Sequence, residues 1–432
     1  MALGGGTFAS QNKVLPGSYI NFVSLASANS ALASRGVATI GLELDWGKEN
    51  EVFEVTAEDF QKNSLSLFGY HSEHEKMKGL RDLFKNIKVL YAYRLNGGGV
   101  KATNTYATAK HCGTRGNSIK IVIEQNIADT LDKDVKTVVD GIVVDKQTVR
   151  LASDLVENDF VTFKDTSLEL TVGLALSTGT NGKVSAESHQ AYLDKIEAYS
   201  FNVMGLLSDE DEIKTLYANF VKRLREDVGV KFQVVMHNKA ADYEGVINVK
   251  NTVTDTVTTA LVYWVTGAMA GCPVNKSAMN KVYDGEYEVV ADYTQTELVQ
   301  ALKAGELVLH KVGKEIRILE DINSLTTVSD AKGDVFKDNQ TIRVIDQVAN
   351  DIAVLFNTKY LGIVPNNEAG RISLWADIVK HHQEMQNTRV IEDFDAKDVV
   401  VSLGKDKKSV VVNDAITIVN AMSKLYMTVT VS

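Results

Sequence analysis

The sequence predicts a multidomain protein of the α/β and α+β classes, with a mixed α/β core, an inserted β-sandwich and a C-terminal α+β domain. The chain has 432 residues, which is too long for one simple core. Helix and strand patterns alternate over 184–340, as in βαβ units with a mostly parallel sheet. Residues 100–183 instead carry short strands separated by turns, a pattern typical of a β-sandwich.

These changes of pattern divide the chain into six segments. They are an N-terminal arm (1–24), an N-terminal α/β segment (25–99), the β-sandwich (100–183), a βαβ domain (184–340), a C-terminal α+β domain (341–424) and a C-terminal arm (425–432). In the first segment, Pro16 and Gly17 predict a turn, and a strand follows. That strand places Ile20 and Phe22 on one face and Tyr19 and Val23 on the other.

Local signals predict the elements of the α/β segment and the sandwich. The residues from Thr56 to Asp59 resemble a helix start with an acidic first turn. A helix over 73–84 and a strand over 89–95 follow. Within the sandwich, Asp140-Gly141 lies between two β-branched runs and predicts a tight hairpin. The predicted strands there span 118–125, 135–140, 142–149 and 168–176.

The βαβ domain is predicted from a helix over 187–199, a strand over 201–207, a second helix and a strand over 231–237. We expect Ser208 to cap the second helix and Gly229 to end it. The C-terminal domain is predicted to contain helices over 341–356 and 369–387 and a hairpin of 398–403 with 409–413. A final strand is expected over 425–432.

Composition argues against several functional classes. The net charge is −10 with no basic stripe, so we expect no direct nucleic-acid binding. Two distant cysteines, Cys112 and Cys272, argue against a disulfide framework or a zinc site. The N-terminus lacks a signal-peptide pattern, and the most apolar window, 260–271, is too short to span a bilayer. We therefore expect assembly in a cytoplasm without membrane insertion.

Motifs for chemistry are weak. The chain carries no P-loop, dinucleotide-binding or GxSxG pattern. His71 and His74 could share one face of a helix, but no third ligand with convincing spacing is near, so a solvated surface is favoured. His111 and Cys112 are adjacent, a poor geometry for a nucleophile and its base. We expect no catalytic residue, metal or cofactor.

Several short segments, in order along nearly the whole chain, resemble contractile tail sheath proteins. The first is 14–22, with its PG-x-Y pattern, and the second is the GxxGN loop Gly113–Asn117. The others are the small-residue helix 260–271 with Ser277 and Tyr283-Asp284-Gly285, an INTL-like segment within 313–326 in which Ser324 replaces Thr, the pair Asp346 and Asp351, and Asn366-Asn367 with Arg371. The chain resembles in particular the short sheaths of PBSX-type defective prophages and related R-type bacteriocins.

The resemblance implies a structural subunit with no catalytic residue to transfer. Its expected partners are further copies of itself in stacked, hexameric rings forming a helical sheath, an inner tail tube protein, and baseplate and tail terminator proteins. Contraction would drive the tube through the target envelope, in a virion tail or bacteriocin particle. The alternatives are a hydrolase-like enzyme with an unrecognised site on the α/β region, and an adhesin, which would need secretion.

Three surfaces are candidates for assembly contacts. The first candidate consists of the two terminal arms, which we expect to act as inter-subunit strands. The N-terminal arm contributes Tyr19, Ile20, Phe22 and Val23, and the C-terminal arm contributes Leu425, Met427, Val429 and Val431. The second is the C-terminal hairpin as the receiving edge, with Val399, Val401, Val410 and Val412. The third is the helix over 369–387 as a tube-facing surface, through Arg371, Trp375, Lys380 and His381. An ordinary packed helix with a solvated face explains the last pattern equally well.

Overall fold

The structure is a computed structural model that describes residues 35–431, so the predicted N-terminal arm and its candidate residues Tyr19, Ile20, Phe22 and Val23 lie outside the described part. The helices are α1 Ala57–Lys62, α2 Ser64–Phe68, α3 Lys78–Phe84, α4 Ala186–Ile196, α5 Asp211–Arg223, α6 Leu261–Gly271, α7 Gln295–Lys303, α8 Asn339–Leu355 and α9 Glu368–Asn387. The strands to residue 175 are β1 Val37–Leu42, β2 Val52–Thr56, β3 Val89–Arg94, β4 Lys101–Thr103, β5 Ala107–Cys112, β6 Ile119–Gln125, β7 Lys133–Val139, β8 Ile142–Val149, β9 Val161–Phe163 and β10 Thr171–Ala175. The later strands are β11 Val203–Gly205, β12 Gln233–His237, β13 Val246–Val249, β14 Glu306–Leu307, β15 Leu309–Val312, β16 Glu315–Ile318, β17 Ile391–Glu392, β18 Val400–Leu403, β19 Val410–Asn413 and β20 Thr417–Ile418.

These elements belong to two compact units. The first comprises residues 39–81 and 88–199. The second comprises, among the described residues, 35–38, 82–87 and 200–431. The mixed α/β fold with its β-sandwich confirms the predicted fold class.

The α/β part of the first unit contains β3 between β1 and β2. β2 and β3 are antiparallel, with Val55 opposite Leu90. α1 begins where the sequence predicted a helix start, because Thr56 and Asp59 form a reciprocal capping box. The predicted helix over 73–84 is shorter as an α-helix: its first residues form a 3₁₀ turn, Glu75–Met77, before α3.

The β-sandwich of the first unit packs a four-stranded sheet, in the order β10-β6-β7-β8, and a three-stranded sheet, β4-β5-β9, around one apolar core. Alternate residues of β6, namely Ile119, Ile121 and Ile123, point into that core. Asp140 and Gly141 join β7 to β8 with φ angles of 52° and 82°, as a type I′ turn requires. The predicted hairpin is therefore confirmed.

The second unit contains a parallel arrangement of four strands in the order β14-β13-β12-β11. Its central strands are buried along their whole length, as parallel strands covered on both faces should be. The predicted cap of α5 is wrong: Ser208 instead accepts a hydrogen bond from the backbone of Glu210, and the helix starts later, at Asp211. Gly229 ends this helical region as predicted, with a φ of 92°.

The C-terminal part of the second unit contains the long helices α8 and α9 and two small antiparallel pairs, β17 with β20 and β18 with β19. The hairpin β18–β19 is confirmed, with Val401 opposite Val412. One apolar cluster joins α9 to this hairpin through Leu374, Ile378 and Val399. Among the described residues, no helix is both long enough and apolar enough to cross a membrane.

Candidate assembly surfaces

The C-terminal segment is held at its base by the start of α8. Gln340 donates a side-chain hydrogen bond to the carbonyl of Val419 at 3.1 Å and accepts one from the backbone of Ala421 at 3.0 Å. Asn420 donates to the hydroxyl of Thr341 at 3.1 Å. The start of α8 therefore fixes the point from which residues 422–431 leave the domain.

Residues 422–431 contain neither helix nor strand and are exposed throughout. The strand expected over 425–432 is absent from the described residues 425–431, so that prediction is wrong for this chain alone. A β-strand requires a hydrogen-bonded neighbour. Four apolar side chains spaced two residues apart are largely exposed: Leu425 at 85%, Met427 at 74%, Val429 at 68% and Val431 at 89%.

In the hairpin β18–β19, the groups available for contact with another chain are mainly backbone groups rather than side chains. Of its candidate residues, Val399 is buried, Val401 and Val410 pack against the α9 cluster, and Val412 is 37% exposed. The backbone of Gly404 donates to the carbonyl of Ser409 at 2.8 Å. Opposed residues in an antiparallel hairpin alternate between hydrogen-bonded and non-hydrogen-bonded pairs, so this bond shows which pairs are of which kind. By that alternation, Val401 on β18 and Val410 and Val412 on β19 turn their N–H and C=O groups away from the partner strand.

Helix α9 presents a different outer face from the one expected. Lys380 is on it, with a side chain 75% exposed, and so are Ile372 and Ala376. His381 was expected to be an exposed charge, but it is buried at 6% exposure, so that expectation is wrong. Arg371 and Trp375 are half-buried and bond within the domain. The guanidinium of Arg371 donates to Asn366, and the indole of Trp375 donates to the carbonyl of Val399 at 3.0 Å.

Two buried ion pairs hold the second unit together. The guanidinium of Arg225 donates to both carboxylate oxygens of Asp346, at 2.6 and 2.7 Å. Arg343 pairs with Asp321, and both side chains are 1% exposed. Burial alone would raise the pKa of Asp321, but the guanidinium and its hydrogen bonds outweigh burial and hold it below the usual range. The resemblance to sheath proteins includes Asp346, but the sequence contains no local signal for its partner Arg225, which is 121 residues away.

The INTL-like segment connects loops around these pairs. The side-chain amide of Asn323 donates to the carbonyl of Phe336 at 2.8 Å and accepts from the backbone of Leu325 at 3.0 Å. The hydroxyl of Ser324 donates to the carbonyl of Tyr243 at 2.9 Å. A Ser hydroxyl is sufficient for this bond.

A second buried polar cluster lies between α8, α9 and the loop after β19. His382, fully buried, has its Nε2 2.9 Å from the carboxylate of Asp414. Burial lowers the pKa of His382 to about 2 and raises the pKa of Asp414 to about 8, so the pair holds one proton between them near neutral pH. On the adjacent side, His381 is 3.7 Å from Asp351.

The GxxGN loop positions the mouth of the sandwich. Gly113 has a φ of 128°, and a Cβ there would lie 2.0 Å from the carbonyl oxygen of Asp45. A side chain at this position is therefore excluded. Asn117 donates to the carbonyl of Gly179 at 2.9 Å and accepts from its backbone N–H at 2.8 Å. These glycines and this asparagine hold two loops together, which is a structural role.

The residues considered for chemistry also have structural surroundings. His74 accepts a hydrogen bond from the backbone of Lys76, as the cap of a 3₁₀ turn. Burial lowers the pKa of His111 to about 4 and raises that of the Cys112 thiol, the opposite of what an activated thiolate–imidazole pair requires. No group of three or more metal-ligating side chains is found among residues 35–431.

Four family models match the chain in succession. They describe the domain III N-terminal region of tail sheath protein Gp18 (residues 35–95), the phage tail sheath β-sandwich domain (97–181), the phage tail sheath central domain (182–324) and the phage tail sheath C-terminal domain (331–432). The matches follow the order of the segments that the sequence resembles.

Individual proteins agree. The chain is 31% identical to the phage-like element PBSX protein XkdK of Bacillus subtilis, over 100% of both chains. The sheath tail protein of Desulfitobacterium hafniense has 34% identity and a TM-score of 0.80, covering 93% of this chain and 100% of that one. The sheath tail protein Lin1278 of Listeria innocua has 31% identity and a TM-score of 0.78, covering 90% and 93%. The chain belongs to the phage tail sheath protein family and is a structural subunit of a phage-type tail sheath.

Proposed function

We propose that the chain polymerises into a helical array around an inner tail tube and contracts to drive that tube through a target envelope. The particle would be a virion tail or a bacteriocin, assembled in the bacterial cytoplasm, with baseplate and terminator proteins at its ends. A contact between different patches on successive copies, repeated along a screw axis, generates such an open helical tube. We assign the subunit no catalytic step and no cofactor.

The observation that supports this proposal is the exposed apolar segment 422–431 on a domain whose hairpin β18–β19 has no third strand paired with it among the described residues. A flat apolar segment that can form a strand promotes association unless it is paired. Adding Leu425–Val431 of one copy to the edge of β18 or β19 of a neighbour would pair both. The N-terminal strand 18–23 would add to the remaining edge.

Such strand pairing suits a sheath that changes shape. Each ladder hydrogen bond contributes about 1 kcal/mol, so one short arm binds weakly. Several arms for each subunit act together in a lattice and bind strongly. The root of the C-terminal arm is bonded to Gln340, and residues 422–431 beyond it are exposed. Subunits would therefore rotate about this segment without losing the strand pairs.

Deleting residues 425–432 tests the arm. We expect a folded monomer that does not form extended sheath, because the deletion removes the added strand and leaves the root at 419–421 intact. Electron microscopy and sedimentation measure assembly, and circular dichroism measures folding. Replacing the alternate residues Tyr426, Thr428 and Thr430 with Ser is the matched control and should permit tubes. Normal tubes from the truncated chain would refute the arm.

The outer face of α9 is the proposed tube contact, through Lys380 rather than through the inward-bonded Arg371, Trp375 and His381. Exposed charges give a salt-sensitive contact that can be released on firing. We expect Lys380→Glu to leave the fold unchanged and to weaken tube binding, with the loss largest at low salt. Co-sedimentation of sheath with purified tube measures this. The matched control is Lys359→Glu, which removes another exposed lysine, one paired with Asp377. Equal binding by both variants and the parent chain would contradict the assignment.

A further inference from the structure

A surface cavity of about 100 Å³ lies between the start of α9, the chain segment before it and the first residue of β19. We call it the β19 cavity. Its apolar lining includes Tyr360, Val364, Leu374 and Val410, and polar residues also line it, namely Asn366, Arg371 and Lys408. Tyr360 and Leu374 are buried at 6% and 3% exposure, so the floor is part of the packed core. A site with such a floor favours an apolar side chain over water.

Contacts within the domain fix the positions of the cavity walls. Asn366 donates side-chain hydrogen bonds to the carbonyls of Lys407 and Ser409, at 3.1 and 2.9 Å, and so joins the α9 entry to the hairpin turn. Gly370 lines the cavity where a Cβ would lie 2.1 Å from the carbonyl oxygen of Pro365. The backbone therefore approaches closely there, and no side chain at this position fills the space.

The cavity adjoins an open strand edge. Val410 lines the cavity, and it also turns its backbone N–H and C=O away from β18, by the alternation that the Gly404–Ser409 bond sets. The side chains of Val401 and Val410 are on the hairpin face that packs toward α9. A strand added beside β19 would place every second side chain on that same face. One of these side chains would stand over the cavity.

The same chain carries a segment of matching chemistry. Leu425, Met427, Val429 and Val431 are spaced two residues apart and are 68% to 89% exposed. In a strand they would all face one side. In the single chain this segment pairs with no strand among the described residues, although the hairpin is present. A second copy of the chain is therefore the occupant that would supply it.

We propose that the β19 cavity is a socket for one apolar side chain from the C-terminal segment 425–431 of a second copy, and that it fixes the register of the added strand. This inference rests on the proposed strand exchange. Backbone pairing alone does not distinguish one register from another displaced by two residues. A single filled socket distinguishes the registers, because a strand displaced by two residues leaves the cavity open or places a different side chain in it.

Disulfide mapping tests the socket in assembled sheath. One protein carries Val364→Cys, and partners each carry one cysteine between positions 425 and 431. We expect cross-linked dimers from one of the positions 425, 427, 429 and 431, and loss of the cross-link at 426, 428 and 430, because a disulfide needs Cβ atoms about 4 Å apart. Val354→Cys, 57% exposed and not part of the cavity wall, is the matched control and should give no cross-link. The native Cys112 and Cys272 are buried.

A second variant gives an independent measure. Val364→Lys should slow tube formation while leaving the circular dichroism spectrum of the monomer unchanged, and Val354→Lys should not. If tubes form but cross-links are absent or equal at all seven positions, the socket is wrong and the strand exchange stands. If the parent chain forms no tubes, or the truncation of 425–432 assembles normally, the strand exchange fails and the socket fails with it.

Discussion

Replacing Asp346 with Asn is expected to lower the free energy of unfolding by about 3–5 kcal/mol, the usual cost of removing one partner of a buried ion pair. The side chains of Arg225 and Asp346 are 4% and 8% exposed. Arg225 also donates to the carbonyl of Phe232 at 2.7 Å, so the guanidinium cannot move out to water without breaking backbone contacts. The variant leaves the buried guanidinium without the carboxylate that accepts two of its hydrogen bonds.

The measurement is urea unfolding of the monomer, followed by circular dichroism. The matched control is Asp292→Asn, which breaks an exposed pair with Lys311, where the side chains are 74% and 55% exposed. Exposed pairs contribute about 0–1 kcal/mol, so the control should unfold near the parent midpoint. A shift for Asp346→Asn no larger than that of the control would show that the buried pair does not stabilise the second unit.

Raising the pH from about 6.5 to above 8 is expected to destabilise the C-terminal domain, through the buried carboxyls. Burial raises the pKa of Asp351 to about 7 and that of Asp414 to about 8. A carboxyl whose pKa is raised by folding binds its proton more tightly in the folded state. The stabilisation from such a carboxyl is therefore fully present below its pKa in the unfolded state, near 4. It is lost as the pH rises through its pKa in the folded state.

The histidines act in the opposite direction. Burial lowers the pKa of His381 and of His382 to about 2, so their contribution is present above pH 6.5 and is lost as the pH falls. Between about pH 4 and 6.5, the two carboxyls lower the free energy of unfolding as the pH rises and the two imidazoles raise it. These two effects cancel. Of these four groups, only the two carboxyls titrate above pH 6.5. Each uncompensated proton then changes the free energy of unfolding by about 1.4 kcal/mol per pH unit.

Asp351→Asn separates this cause from general alkaline effects. The variant keeps an oxygen that can accept the hydrogen bond from Gln347, which donates to Asp351 at 2.9 Å, but it cannot ionise. We expect its urea midpoint to fall less than that of the parent chain between pH 6.5 and 8.5. Asp377→Asn is the control: its carboxyl pKa is lowered by Lys359 and Tyr360 against the effect of burial, and it is already ionised in this range. Parallel pH profiles for the parent and Asp351→Asn would contradict the assignment.

Elements with local signals could be predicted from the sequence. The capping box at Thr56 and Asp59 and the Asp140-Gly141 turn depend on residues at most three apart, and both are in the structure as predicted. The periodic pattern of α8 and of α9 predicted helices whose ends lie within two residues of those observed. The short segments that resemble tail sheath proteins, taken in order, were sufficient to predict the family.

Which side chains of those elements are exposed depends on the packing between elements that are distant in sequence. Periodicity shows that α9 has two faces, but it did not show that His381 packs inward while Lys380 remains outside, because that depends on which elements cover the helix. The partner of Asp346 comes from a helical turn 121 residues earlier, a distance over which no local pattern reports. The terminal segment 425–431 was mispredicted for a different reason. Alternation in 425–431 gives a segment that is able to form a strand, but a strand exists only where a second backbone supplies its hydrogen bonds.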